Sequence, residues 1–183
     1  FSRYNYFLAN YLVSKKKISE ASMIYKNKIT DIYNKNLLIR QTEDFLKNNK
    51  SAKVLAFFDC KKPKDVIAEI FYVIANLYAS EKNYELSNFY LKISIMLNSN
   101  FKPNNALLAE NYYNQKKYEL SKKIYYSLKP IGKIYSWYSS KNIATIIYIT
   151  DGKEKSFSSL EKDFNLISKP TFEHYYEMAN IYK

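Results

Sequence analysis

The chain has 183 residues, of which 47% are hydrophobic and only two are glycine and four proline, a balance that excludes a disordered chain. Lysine and arginine outnumber aspartate and glutamate by 29 to 17, a formal +12, which would attract acidic proteins, anionic lipid heads or a nucleic-acid backbone. It contains no apolar run of the length a membrane span needs, and with Cys60 as its one cysteine it forms no internal disulfide.

In chain order, apolar residues spaced 3 or 4 apart predict successive amphipathic helices. Residues 2–35 carry Leu8, Ala9 and Leu12 on one and Ala21 and Tyr25 on the next. Residues 36–67 are less regular, with Leu37, Leu38, Phe45 and Leu46 on a first helix and Val54, Leu55, Phe57 and Phe58 near a shorter one. Pro63 with Asp65 marks a helix start. Residues 68–101 place Phe71, Ile74, Ala75 and Tyr78 on one face, then Leu86, Tyr90 and Leu91 on another, across the polar stretch Ser80 Glu81 Lys82 Asn83.

Residues 102–136 repeat that pattern. Tyr84 Glu85 Leu86 Ser87 recurs 34 residues later as Tyr118 Glu119 Leu120 Ser121, with Ala75 echoed by Ala109 and Tyr78 by Tyr112. Pro130 Ile131 Gly132 then breaks the chain; residues 137–171 carry Ile143, Ala144 and Ile147, a turn at Asp151 Gly152, and Phe157, Leu160 and Phe164. Residues 172–183 supply Ala179 and Tyr182 of one further first helix. The start at Phe1 and the unpaired last helix read as cut ends, so the expectation is a segment of a longer array, and the lack of a leader says nothing of compartment.

Helix, turn, helix in 34 residues resembles the tetratricopeptide repeat. Counted from Ala68, Phe71, Ile74, Ala75, Tyr78, Ser87 and Leu91 occupy that family's large, apolar, small, aromatic, small and large positions; the next unit supplies Leu108, Ala109, Tyr112, Ser121 and Tyr125, with Asn105 departing at the fourth. Small residues belong where the two helices of a unit come closest. The resemblance implies an all-α, right-handed superhelical solenoid of antiparallel helix pairs, whose first helices line a concave groove that holds a peptide segment or partner helix.

Carried onto this sequence, the groove phases are Arg3, Tyr6, Asn10 and Val13; Glu69, Tyr72, Asn76 and Ala79; Ala106, Glu110 and Tyr113; Tyr138, Lys141, Thr145 and Tyr148; and Glu173, Tyr176 and Asn180. Tyrosine offers apolar area with a polar tip, and an asparagine amide both donates and accepts, so the set suits peptide recognition. Asn10, Asn76 and Asn180 share one phase, although a sequence rich in asparagine throughout would also give that coincidence. The family's cationic clamp for a terminal carboxylate is not reproduced, since Tyr72 and Leu107 stand at two of its positions.

Lys15, Lys16, Lys17, Lys82, Lys116, Lys117 and Lys153 gather at the turns within units, and stacked turns would form a basic edge. Such an edge suits RNA or an acidic partner; solvation of exposed turns explains the same lysines. Chemistry-bearing patterns are few. His174 and Cys60 are single of their kind, Gly132 Lys133 lacks the Ser or Thr of a phosphate loop at Ile134 and its upstream glycine at Ser127, and Glu154/Glu161 and Glu173/Glu177 have the spacing of solvated helix faces. The expectation is a non-enzymatic protein-binding scaffold without cofactor or metal, with an RNA-binding array or an accessory domain of an enzyme as alternatives.

Overall fold

The computed structural model describes residues 2–26 and 36–182, which form helices and connecting turns with no strand among them. The side chains of Arg3, Tyr25 and Tyr182, and residues 27–35 of the first expected unit, lie outside the described residues. The helices are α1 (Ser2–Ser14), α2 (Ile18–Lys26), α3 (Leu37–Lys47), α4 (Ser51–Phe57), α5 (Pro63–Ser80), α6 (Tyr84–Leu97), α7 (Pro103–Asn114), α8 (Tyr118–Leu128), α9 (Lys133–Asp151), α10 (Lys153–Phe164) and α11 (Phe172–Tyr182). A 3-10 turn at Lys129–Ile131 joins α8 to α9. Helix α9 therefore starts four residues before Trp137, where the sequence placed the unit's beginning, because Gly132 ends the turn.

From α5 to α11 each helix packs on its chain neighbours, and α5 also touches α7. The helix pairs α5/α6, α7/α8 and α9/α10 share one device. A buried serine on the second helix donates through Oγ to an alanine carbonyl twelve residues earlier on the first: Ser87 to Ala75 at 2.8 Å, Ser121 to Ala109 at 2.8 Å, Ser156 to Ala144 at 2.7 Å. All six residues are fully buried. The short side chains let the backbones approach, and each hydroxyl finds its acceptor in doing so. Ala9 and Ala21, also twelve apart and fully buried, hold α1 against α2 without the hydrogen bond.

The turns inside four pairs close alike. Lys16, Asn49, Lys82 and Lys116 adopt the left-handed conformation, with φ of 62°, 55°, 61° and 59°. At the last two, Lys82 N–H reaches Ala79 O and Asn83 N–H reaches Tyr78 O, and Lys116 and Lys117 repeat this on Tyr113 and Tyr112. This double bond from the residues past a helix end is the Schellman arrangement, here built without glycine.

Helices α1–α4 form their own core, where Tyr6, Ala9, Leu38, Phe45, Val54 and Phe58 pack together. Phe101 from the α6–α7 connection completes it, and Tyr72 and Ile131 pack against it. Beyond this group α3 packs on α9. There the buried Gln41 accepts from Ile134 N–H at 3.3 Å, and a Cβ at Gly132 would stand 2.4 Å from its Nε2. The glycine that superficially resembled part of a phosphate loop thus makes room for a close approach of α3.

Candidate functional site

A cleft of about 820 Å³ opens between α3, α7, α9 and α11 and the α10–α11 connection. Six groove-phase residues line it: Glu110, Tyr138, Lys141, Thr145, Glu173 and Asn180. The others lie elsewhere. Tyr6, Asn10 and Val13 are buried, and the Asn10 amide donates to Phe58 O at 2.6 Å, tying α1 to the end of α4. These three are core, not groove wall, because α3 and α4 cover the face that the phase assigns to a ligand.

Tyr72 meets Phe101 edge to face with ring centres 5.5 Å apart, and Asn76 donates back to Tyr72 O at 2.9 Å. Glu69 and Ala106 are buried, and Tyr113 packs on Tyr118. Tyr148 and Tyr176 are exposed but do not line the cleft. Lys15, Lys16, Lys17, Lys82, Lys116, Lys117 and Lys153 are all exposed; Lys17 pairs with Glu20 at 3.0 Å and Lys15 lies over the Tyr11 ring at 5.7 Å.

The cleft wall is held by ionic contacts that periodicity does not reveal. Arg40 of α3 grips Glu173 of α11 with two bonds, at 2.9 and 2.6 Å. Glu177, one turn on, accepts from the Trp137 indole at 2.6 Å and from Lys141. Lys129 reaches Asp163 at 2.6 Å. Paired guanidinium–carboxylate bonds fix orientation as well as charge, so α11 is set against α3 and α9 at two points.

His174 is half-buried beside Trp137, ring centres 5.1 Å apart, and its Nδ1 accepts from Thr171 N–H at 3.1 Å. Nδ1 is therefore unprotonated, and burial lowers the ring's pKa, outweighing the nearby Glu173 and Glu177. Trp137 and the docking of α11 account for the partial burial of this histidine.

Glu110 differs from Asp163, Glu173 and Glu177, the cleft carboxylates that pair with a cation. Its side chain opens onto the cleft, and its one hydrogen bond is from the Tyr138 hydroxyl at 2.5 Å, with no cation paired to it among the described residues. Glu110 is exposed by surface area, yet the protein packed around its carboxyl raises its pKa, against the opposing effect of the tyrosine bond. Burial raises Tyr138 and Tyr125 as well.

Among the described residues no group of three or more His, Cys, Asp and Glu is placed to hold a metal ion, and no helix is long and apolar enough to cross a membrane. Compared with known families and curated proteins, the chain matches no family model and no curated sequence.

Proposed function

We propose that this chain is a non-enzymatic, tetratricopeptide-like helical-repeat scaffold, and that it holds a segment of a partner protein in the cleft between α3, α9 and α11. The observation that carries the reading is the meeting in one 820 Å³ cleft of six residues that the repeat register assigns to a ligand-facing surface. The recurrent Ser–Ala bonds and the 34-residue echo support a superhelical stacking of α5–α10. A cleft of this size takes a few side chains of an extended segment, with tyrosine, serine, threonine and asparagine offering both donors and acceptors.

Selection of random twelve-residue peptides displayed on phage tests this. The bait is the immobilised chain, with counter-selection on the variant Thr145→Phe/Asn180→Phe, which fills the cleft from two exposed positions. Peptides that bind the chain and not the variant support the reading; failure to obtain any overturns it.

The exposed turn lysines favour a second reading, RNA bound along a basic edge. It requires affinity for single-stranded RNA that falls steeply with salt and with Lys116→Ala/Lys117→Ala. Absence of salt-sensitive binding removes it.

A further inference from the structure

Resting on the reading of the cleft as a partner site, we propose that the bound segment inserts an arginine or lysine side chain whose cationic group seats against Glu110. The net charge of the chain, +12, would by itself suggest an acidic ligand. The interior of the cleft has the opposite character.

Its other carboxylates are already answered. Glu173 is held by Arg40, Glu177 by Lys141 and Trp137, Asp163 by Lys129, and Asp44 accepts from Gln41 and Asn48 at 3.3 and 3.1 Å. Glu110 alone keeps most of its acceptor capacity: a carboxylate offers about four lone-pair sites, and one is used by Tyr138. Of the cations lining the cleft, Arg40 and Lys141 are committed to those pairs, and Lys133 and Lys169 form no ion pair with Glu110 among the described residues. A cation entering the cleft therefore meets an unneutralised carboxylate on an exposed residue, with one oxygen already held by Tyr138, and the bond it makes there is charge-assisted.

The raised pKa of Glu110 adds a pH dependence. The groups facing it are Tyr138 from α9 and Tyr125 from α8, and both stay neutral well above the ordinary tyrosine range. Glu110 is thus the titrating partner: the cation binds while the carboxylate is ionised and is released as pH falls through its raised value.

The test uses the phage-selected peptides as synthetic probes. The sequence has a single tryptophan, Trp137, and it lines the cleft, so its emission reports occupancy directly. Each peptide is titrated into the chain and into Glu110→Gln, whose folding is verified by circular dichroism, and again with its arginine replaced by neutral citrulline. The expected result is an arginine or lysine in every cleft-dependent peptide and a loss of affinity of about tenfold or more on either change, equivalent to about 1.4 kcal/mol. Cleft-dependent peptides without a basic residue, or with affinity indifferent to Glu110→Gln and to citrulline, overturn the cationic anchor and leave the scaffold reading standing. Failure to select any cleft-dependent peptide overturns both.

Discussion

Asn111 on α7 donates through Nδ2 to the Oγ of Ser87 on α6 at 2.8 Å, and that hydroxyl in turn donates a hydrogen bond to Ala75 O on α5. The same amide donates to Asn88 Oδ1 at 2.9 Å. Three consecutive helices are thereby joined by one buried chain of hydrogen bonds, which links the pair α5/α6 to the next pair. Among the described residues Ser156 makes the bond to alanine without such an extension.

The serines should consequently differ. Ser156→Ala removes one neutral hydrogen bond and is expected to lower stability by about 1 kcal/mol, whereas Ser87→Ala also deprives the Asn111 amide of an acceptor and should cost about 2 kcal/mol. Urea unfolding of the two variants checks the order. Equal losses would mean that the amide finds another acceptor.

Glycine should improve two turns. Lys82 and Lys116 sit at φ of 61° and 59°, where an L side chain is strained by about 1–2 kcal/mol. Part of that is offset by the greater freedom glycine gives the unfolded chain, so Lys82→Gly and Lys116→Gly are each expected to stabilise by about 0.5–1 kcal/mol. Thermal unfolding midpoints measure it, and a lowered midpoint would show that the lysine side chains contribute more than their backbone costs.

Glu110 should make the fold less stable as pH rises. Its folded pKa is raised, so the native state holds the proton more tightly than the unfolded chain, and stability falls from the ordinary glutamate range, about 4.3, up through the raised value. Glu110→Gln keeps an acceptor for Tyr138 and abolishes the titration. The variant should be the more stable of the two at pH 7, with the difference shrinking towards pH 4. A difference constant with pH would contradict the assignment.

Tyrosines set the alkaline limit. Tyr125, Tyr135 and Tyr138 are all raised, chiefly by burial, so above about pH 10 the unfolded chain loses protons that the native state keeps, and stability declines. The Tyr135 hydroxyl is buried without a hydrogen-bond partner among the described residues, so Tyr135→Phe is expected to be neutral or to stabilise by about 1 kcal/mol. Phenolate absorbance against pH should show three tyrosines ionising only as the fold is lost.

The part of this architecture legible in the residues was the part built from local spacing. Ala75 and Ser87 could be paired twelve apart because one helix turn and one tight connection fix that separation, and the residues that must be small are the ones the helices press together. The cleft was half legible. Glu110, Lys141 and Glu173 fell on the right phase, but Tyr6 and Asn10 share that phase and are core, because α3 and α4 pack where the register alone leaves an open face. The Asn10 bond to Phe58 O joins residues 48 apart, and the cleft wall rests on Gln41–Ile134 and Arg40–Glu173, 93 and 133 apart; long-range docking of that kind leaves no periodic trace.

The docking of α3 on α9 also changes the topology of coupling. In an open row of helices, either end can fray while the middle stays folded, because each unit answers only to the next. Here α3 is moored to α9, so the sequence of contacts returns on itself and the helices between them are held at both ends. Closing so long a loop is entropically slow but adds little further cost per residue. The expected signature is late, all-or-none unfolding, with amides in α3 and α9 exchanging at one common rate.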